Sequence, residues 1–471
     1  MVSAGDGRRD RSQLRQLGLP WAETVSPSMF GGGRSGRPAP HDWTSYPVRG
    51  DGLWGQVFSQ PNLARALQRV ERNGGAPGVD GMTTDDLCPW LADNWGAVRR
   101  ALDEGSYRPQ PVRRVEIPKP DGRMRLLGVP TVLDRLIQQA VAQVLTPIFD
   151  PGLSESSYGF RPGRSAHQAV AVARGHIADG YRWVVDVDLA EFFDRVHHDK
   201  LMHRVARQIA DKRLLRLIRA FLEAGVMADG VRQPVVEGTP QGSPLSPLLS
   251  NIMLDDLDRE LERRGHRFVR YADDVRVFVR SERAASRVLD SVTAFVEGRL
   301  ALRVNRDKSS ISTGAQAALL GFGFYFAGGS VKVRVHAVAL QRVKQRIRAL
   351  TRRNWGTSMG YRLWRLNRFI AGWCSYFGFA DSYTLFEELD KWTRRRLRAV
   401  RWEEWKNGTG RRRSLGRLGI PDHQARQWAN SSKGPWRIAG SASLQRAMPN
   451  QYWTDLGMRG FNHHWHRLRN T

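Results

Sequence analysis

Residues 268–279 read FVRYADDVRVFV, and this stretch decides the architecture of the protein. Two runs rich in β-branched and aromatic residues flank the adjacent carboxylates Asp273 and Asp274, which is typical of two strands joined by a tight turn. Buried carboxylates are costly unless a cation neutralises them. The pattern therefore predicts a β-hairpin whose tip can hold divalent metal ions. A solvated turn is the alternative interpretation, and the rest of the chain decides between the two.

A second acidic strand lies upstream, where residues 183–194 read WVVDVDLAEFFD. Because side chains alternate along a strand, Asp186 and Asp188 share one face and the intervening valines share the other. We predict that Asp188 is a metal ligand and that Asp186 and Asp194 are structural.

The two acidic segments together predict a site for two metal ions. Mg²⁺ prefers a few carboxylate ligands, with phosphates and water completing its octahedron. Two such ions, about 3.5–4 Å apart, can activate an attacking hydroxyl and stabilise a leaving phosphate group. Asp188 and Asp273 are the predicted bridging ligands, and Asp274 adjoins them.

Eight sequence blocks occur in an order that resembles the group II intron reverse transcriptase/maturase family, in its bacterial, endonuclease-lacking form. The blocks are GAPGVDG at 75–81, IPKPDGRMR at 117–125, YGFRPGRS at 158–165, the Asp188 strand, GTPQGSPLSP at 238–247, the Asp273 hairpin, NRDK at 305–308 and LGF at 320–322. Each block alone is weakly specific, but their shared order makes coincidence implausible. The resemblance covers about residues 56–440.

The resemblance implies roles for residues around the acidic site. Lys119 and Arg125, on either side of a turn, are expected to contact the triphosphate of an incoming deoxynucleotide, where cations stabilise developing charge. Gln241 is expected to contact the nucleotide and the template. Lys308 is expected to lie near the departing pyrophosphate as a general acid. Phe193 resembles the bulky gate that excludes a ribose 2′-hydroxyl.

Two further expectations concern the neighbourhood of Asp188. Phe192 is assigned to the core, although the sequence alone allows Phe192 and Phe193 to exchange roles. The resemblance also implies that the backbone carbonyl of Leu189 is a metal ligand. The expected cofactor is a pair of Mg²⁺ ions, for which Mn²⁺ could substitute.

The charge of the chain is strongly and unevenly basic. The 471 residues carry a net charge of +28, and residues 331–471 contribute 29 of the 74 Lys and Arg but only 8 of the 46 Asp and Glu. This segment also holds 10 of the 16 Trp, most of which we assign to a core. A basic, aromatic-rich surface suits phosphate neutralisation and base stacking.

The resemblance implies an α+β fold, a right-hand polymerase with fingers, a palm built on an antiparallel sheet with helices, an α-helical thumb and a small C-terminal nucleic-acid-binding region. The predicted divisions are a flexible extension at 1–55, fingers and palm at 56–330, the thumb or maturase domain X at 331–410, and a basic region at 411–471. From Leu340, apolar residues at helical spacing predict an amphipathic helix with a basic outer face. In a later basic helix, the candidates for contacts with the RNA backbone are Arg394, Arg395, Arg396 and Arg398.

Composition excludes several classes of protein. Cys88 and Cys374 are the only cysteines, so a disulfide framework and a Cys-x-x-Cys zinc site are excluded. No apolar run approaches the ~20 residues of a membrane span, and the N-terminus lacks the apolar core of a secretory signal. We therefore expect a bacterial cytosolic or nucleoid location and no membrane partner. The cluster NHHWH at 462–466 does not have the spacing of a His–Asn–His endonuclease.

The sequence thus predicts an RNA-directed DNA polymerase and intron maturase. Its expected partners are group II intron RNA, an RNA template–DNA primer duplex, target DNA and dNTPs, and it would copy the intron by target-primed reverse transcription. A free-standing domesticated reverse transcriptase, serving repair or phage defence, is one alternative. An RNA-binding splicing factor with a vestigial polymerase is a second, and another palm enzyme, such as an RNA-dependent RNA polymerase or a nucleotide cyclase, is a third.

Overall fold

The computed structural model describes residues 52–118, 124–228, 231–233, 238 and 242–469. The predicted nucleotide contacts Lys119 and Gln241, and all but the last residues of the predicted extension 1–55, lie outside this part of the chain. The chain divides into two compact units. The first unit comprises residues 1–169 and 185–311, and the second comprises residues 170–184 and 312–471.

The helices are numbered in chain order. They are α1 (Gly52–Val57), α2 (Gln60–Asn73), α3 (Thr84–Asp103), α4 (Val132–Phe149), α5 (Ala166–Ala178), α6 (His198–Ala206), α7 (Lys212–Leu222), α8 (Ser246–Arg263), α9 (Glu282–Phe295), α10 (Ala337–Leu350), α11 (Met359–Phe377), α12 (Tyr383–Glu404), α13 (Gly408–Arg417), α14 (Asp422–Ala429), α15 (Pro435–Ile438), α16 (Ala442–Ala447), α17 (Asn450–Asp455) and α18 (Phe461–Arg469).

The strands are numbered in the same way. They are β1 (Val112–Pro118), β2 (Met124–Val129), β3 (Trp183–Ala190), β4 (Val226–Ala228), β5 (Val231–Gln233), β6 (Arg267–Tyr271), β7 (Asp274–Val279), β8 (Arg303–Val304), β9 (Ser310–Thr313), β10 (Ala318–Leu319), β11 (Phe322–Ala327) and β12 (Ser330–Val335).

The first unit contains a small sheet with the strand order β2-β1-β4-β5. Strands β1 and β2 are antiparallel, with Ile117 opposite Arg125 and Pro118 opposite Met124. They flank the segment between Lys119 and Arg125 in which the sequence predicts a turn. Strand β4 joins the same sheet parallel to β1. Helix α2 packs on α4, which buries apolar residues along nearly its whole length. Together these elements correspond to the predicted fingers.

The acidic segments belong to a second sheet of the first unit, in which the strands follow the order β6-β7-β3-β8. Strands β6 and β7 form the predicted antiparallel hairpin, in which Tyr271 pairs with Asp274. Residues Val275 to Val279 of β7 are all buried, so both faces of this strand are covered. Helix α8, which has Pro247 in its first turn, packs against β6 and contributes a long apolar face. An antiparallel sheet with a helix on it is the predicted palm.

The second unit contains most of helix α5, the antiparallel sheet β10-β11-β12 and the helices α10 to α18. Helix α10 begins at Ala337, three residues before the predicted start, and buries the expected stripe of Val343, Ile347 and Leu350. Most tryptophans of this unit are in its core or pack against it, as expected. Trp402 and Trp453 are each 1% exposed, and the partly buried tryptophans are Trp355, Trp373, Trp392, Trp405, Trp428 and Trp465. Across the described residues, the structure contains no helix that combines the length and the apolar character needed to cross a bilayer.

Candidate active site

The acidic pair lies in a tight turn between β6 and β7. Tyr271 pairs with Asp274, so Ala272 and Asp273 form a two-residue loop. Ala272 has a φ of 59°, a left-handed conformation that costs a non-glycine residue about 1 kcal/mol. The loop at Gly159 packs directly on this turn, because a Cβ on Gly159 would lie 2.2 Å from the Ala272 nitrogen. The turn is therefore held in one conformation by its neighbours.

A buried hydrogen-bond network connects the turn to helix α8 and stabilises it. Arg270 and Asp258 have fully buried side chains, and their shortest hydrogen bond is 2.6 Å. Arg270 also donates to the Ala272 carbonyl at 2.9 Å and to Asn251 Oδ1 at 2.8 Å. Asn251 in turn donates to the Gly159 carbonyl at 2.9 Å. The network ties helix α8 to both loops that meet at the acidic pair.

Asp186 and Asp188 lie on β3, and Asp274 begins the neighbouring strand β7. Arg276 Nη1 lies 2.5 Å from Asp186 Oδ1 and 3.0 Å from Asp274 Oδ1, so one guanidinium joins the two strands. Lys308 Nζ lies 3.9 Å from Asp188 Oδ2. Burial raises the pKa of Asp186 to about 6, and the charges of Asp274 and Asp188 act in the same direction against Arg276. The site is thus a concentration of negative charge that two cations neutralise in part.

The backbone around Asp188 is held by the segment after β8. The Asp188 amide donates to Ser309 Oγ at 3.1 Å, and the Asn305 amide donates to the Asp188 carbonyl at 2.8 Å. Leu189 pairs with Val304 at the adjoining position of the ladder. These contacts bring the Asn305–Lys308 block next to the acidic strand β3.

The donor set suits a hard divalent cation. The side chains of Asp188 and Asp274 are 35% and 38% exposed, so carboxylate oxygens reach solvent at the ends of two adjacent strands. Such oxygens are the ligands that Mg²⁺ prefers. Within the part of the chain that the structure describes, no three acidic, histidine or cysteine side chains are gathered closely enough to hold a metal ion. Asp186 and Asp274 are directed at the Arg276 guanidinium.

The two phenylalanines after β3 differ in burial. Phe192 is 2% exposed and belongs to the core, whereas Phe193 is half-buried. Their rings meet edge to face with centroids 5.1 Å apart. Glu191, with a φ of 51°, introduces the bend that separates them from the strand. The burial favours Phe193 as the gate and Phe192 as its support.

A cleft of 1210 Å³ opens beside Tyr271 in the first unit. Phe160, which is 52% exposed and has a φ of 59°, lines it next to the turn at Ala272 and Asp273. Its wall is rich in arginine. The arginines that line it are Arg65, Arg69, Arg72, Arg135, Arg161 and Arg164. Arg65, Arg69 and Arg72 recur at helical spacing on α2, away from its buried face. The cleft therefore presents positive charge to an anionic ligand.

Comparison with known proteins agrees with this geometry. Residues 117–338 match the family described as reverse transcriptase (RNA-dependent DNA polymerase). Residues 340–419 match the maturase-specific domain of group II introns. Protein YkfC of Escherichia coli K12 is 33% identical over 66% of this chain and 91% of its own length. The chain belongs to the group II intron reverse transcriptase/maturase family.

Two other relatives cover smaller shares. The group II intron-encoded protein LtrA of Lactococcus lactis is 38% identical over 41% of this chain and 32% of its own length. Among solved structures, a partial Cas6-RT-Cas1–Cas2 complex is 27% identical and covers 52% of this chain and 42% of that one, with a TM-score of 0.33. The predicted family is confirmed, and so is the predicted right-hand polymerase fold.

The maturase-specific domain places the four candidate arginines of α12 in different environments. Arg394 is half-buried. Arg395 donates to the Trp436 carbonyl at 3.1 Å, and its guanidinium lies 4.1 Å from the Trp436 ring centroid. Arg396 donates to Thr351 Oγ1 at 2.6 Å. Each of these three residues is half-buried, so part of its surface is exposed.

Arg398 differs from its neighbours on α12. It is 7% exposed and donates to the Ala439 carbonyl at 2.9 Å. Burial lowers its pKa to about 10, and the charges of Arg394 and Arg395 act in the same direction. These contacts make Arg398 a link between α12 and the segment after α15, so Arg394, Arg395 and Arg396 are the stronger candidates for RNA contacts.

Sequence reasoning missed the residues that hold the acidic turn. Arg270, Asp258 and Asn251 received no role, although a weak signal was present. Arg270 is a charged residue within an apolar strand, and Asn251 and Asp258 lie seven residues apart on the apolar face of one helix. Buried charge at such positions requires a partner. The role of Arg276 had no comparable signal.

Proposed function

We propose that the protein extends a primer with deoxynucleotides along an RNA template, using divalent ions at Asp188, Asp273 and Asp274. The observation that supports the proposal is that Asp188 lies on the strand next to β7, which begins at Asp274 directly after Asp273 in the β6–β7 turn. Bound Mg²⁺ would supply Lewis-acid chemistry that activates the primer 3′-hydroxyl and stabilises the leaving pyrophosphate. The Leu189 carbonyl would complete the ligand set, and Mn²⁺ could substitute for Mg²⁺.

The chain's own residues would supply orientation and charge around that reaction. Lys308, whose Nζ lies 3.9 Å from Asp188 Oδ2, would donate a proton to the leaving pyrophosphate. The arginine-lined cleft beside Tyr271 would take the template strand through its phosphates. Lys119, Arg125 and Gln241 keep their proposed nucleotide contacts. Phe193 would exclude a ribose 2′-hydroxyl.

We further propose that the second unit binds group II intron RNA, assists its splicing and grips the template–primer duplex. The match of residues 340–419 to the maturase-specific domain supports this role, as does the basic charge of the chain from residue 331 onward. Target DNA would supply the 3′ end from which the intron RNA is copied. Such partners are met in the bacterial cytosol or nucleoid, where we propose that the protein acts.

The test is primer extension by purified, nucleic-acid-free protein on an RNA template with Mg²⁺. We expect extension with dNTPs and little with rNTPs. A parallel binding assay compares a structured group II intron RNA with an unstructured RNA of the same length. Absence of extension, together with tight binding of the structured RNA, would replace the polymerase proposal by an RNA-binding splicing factor.

Replacing Phe193 by valine tests the proposed gate. The smaller side chain leaves room for a 2′-hydroxyl, so the preference for dNTPs over rNTPs should fall by at least about tenfold, as expected for a packing difference of a few atoms. The measurement is kcat/KM for dCTP and CTP on the same primer–template. Phe192→Leu is the control, since it alters a buried neighbour and should lower stability with the preference unchanged. An unchanged preference in Phe193→Val would contradict the assignment.

Replacing Arg276 by leucine tests whether this guanidinium positions Asp274. Hydrogen bonds to charged groups are worth about 1.5–3 kcal/mol, so the maximal extension rate should fall roughly 10–100-fold. The loss of a positive charge should at the same time strengthen divalent-ion binding, measured by Tb³⁺ luminescence. Arg276→Lys keeps the positive charge, so its extension rate and its ion affinity should lie between those of wild type and Arg276→Leu. A merely structural role predicts a lower rate with unchanged ion affinity, which would refute the positioning role.

A further inference from the structure

An exposed aromatic pair stands on helix α11 of the second unit. The rings of Tyr361 and Trp364 are stacked, with centroids 5.6 Å apart and an interplanar angle of 27°. Their exposed fractions are 44% and 50%. Aromatic side chains usually bury most of their apolar area in a core, whereas these two leave about half of theirs in solvent. Their exposure therefore indicates a role outside the packing of the fold.

Two arginines flank this pair. Arg365 donates to Tyr361 Oη at 3.1 Å, and its Cζ lies 5.9 Å from the centroid of that ring. Arg368 Cζ lies 4.9 Å from the Trp364 ring centroid. In the second unit, residues 312–380 contain 11 Lys and Arg and no Asp or Glu. This segment thus carries positive charge and no carboxylate of its own, and Glu403 and Glu404 of α12 are paired with Arg353 and Arg401.

The start of α11 is held in place from inside the unit. Arg362 is 1% exposed and donates to the carbonyls of Leu350 and Arg352 at 3.0 and 2.9 Å. Trp355 meets the Tyr361 ring edge to face at 6.2 Å. The helix is therefore fixed against the end of α10, and the aromatic pair needs little ordering before it binds a ligand.

We propose that Tyr361 and Trp364 form a stacking platform for unpaired bases of single-stranded RNA, with Arg365 and Arg368 pairing with the adjacent phosphates. The inference rests on the proposed RNA-binding function of the second unit and names a contact that serves it. Stacking of a base on an aromatic ring is stronger than an exposed cation–π contact, so a base displaces an arginine from the ring. The displaced guanidinium can then bind a phosphate. In a duplex, each base is covered on both faces by its stacked neighbours, so the expected ligand of the aromatic pair is an unpaired nucleotide.

The test compares Trp364→Leu with Trp364→Phe, and Tyr361→Leu with Tyr361→Phe, in the full chain. Leucine keeps an apolar side chain but removes the π face, whereas phenylalanine retains it. Fluorescence anisotropy gives Kd at one salt concentration for a single-stranded RNA of mixed sequence and for the same backbone with abasic nucleotides. We expect the leucine variants to bind the mixed RNA about tenfold more weakly and the phenylalanine variants to bind nearly as tightly as wild type. All should bind the abasic RNA alike.

Wild type alone gives a second measurement that does not depend on the folding of any variant, because it should prefer the mixed RNA to the abasic RNA. Equal affinity of wild type and leucine variants for the mixed RNA would overturn the platform and leave a protein segment as its occupant. An equal loss on both RNAs would also overturn it, since the site would then contact the backbone alone. If wild type bound no RNA, the proposed function itself would fail, which is a different result.

Discussion

Asp188→Asn should lower the rate of RNA-templated primer extension by at least about 10³-fold, because an amide cannot supply the negative charge that holds a divalent ion. The substitution keeps the size of the side chain and leaves its backbone contacts with Ser309 and Asn305 intact. Asp273→Asn should have an effect of the same order. The measurement is a single-turnover extension rate at saturating template–primer and Mg²⁺.

Asp186→Asn is the matched control, since Asp186 lies two residues earlier on the same face of β3. This carboxylate is paired with Arg276, and burial raises its pKa to about 6, so burial opposes its charged form. We expect Asp186→Asn to cost about tenfold or less. Equal losses for Asp186→Asn and Asp188→Asn would show that the acidic cluster acts as a whole, and the assignment of Asp188 as a metal ligand would be wrong.

The parts of this site that the sequence predicted are those whose signal is local. Alternation of β-branched residues around Asp273 and Asp274 predicts a hairpin because the two strands pair with each other across a two-residue turn. The stripe from Val343 to Leu350 predicts α10 for the same reason, since one helix face decides it. Helix α10 begins three residues before the predicted start, because the exposed residues Ala337 and Val338 extend it and Ala339 adds one more buried residue to its packed face.

The parts that escaped prediction depend on contacts between distant residues. Asn251 donates a hydrogen bond to the Gly159 carbonyl, which is 92 residues away in the sequence, and Arg270 donates one to Asn251, which is 19 residues away. Arg276 bonds to Asp186 only because the sheet places β7 next to β3. The order of strands in a sheet depends on tertiary contacts, which the periodicity of the sequence does not indicate. The distinction between Trp364 and the buried tryptophans is similar, since it depends on which helix face the rest of the unit covers.

Asp258→Ala should reduce the free energy of unfolding by about 3–5 kcal/mol, because it leaves the Arg270 guanidinium buried without its counter-charge. Both side chains are 0% exposed, and the pair is joined by hydrogen bonds of 2.6, 2.8 and 3.0 Å. Burial raises the pKa of Asp258, while Arg270 lowers it. Chemical unfolding followed by circular dichroism measures the loss.

Glu262→Gln is the control on the same helix. Glu262 pairs with Arg259 at 3.1 Å, where both side chains are at least one-third exposed, so its loss should cost about 1 kcal/mol or less. A loss for Asp258→Ala no larger than that for Glu262→Gln would contradict the view that a desolvated charge pair supports the acidic turn.

The double variant Asp258→Leu/Arg270→Met separates stability from the position of the turn. Replacing a buried ion pair by apolar residues of similar volume is often neutral or stabilising, so much of the free energy of unfolding should return. The hydrogen bonds from Arg270 to the Ala272 carbonyl and to Asn251 do not return, because methionine has no donor. Primer extension should therefore stay at least about tenfold below wild type in a protein that is folded and stable. Recovery of both stability and rate would mean that the apolar core alone orients Asp273, and that the polar network is dispensable to catalysis.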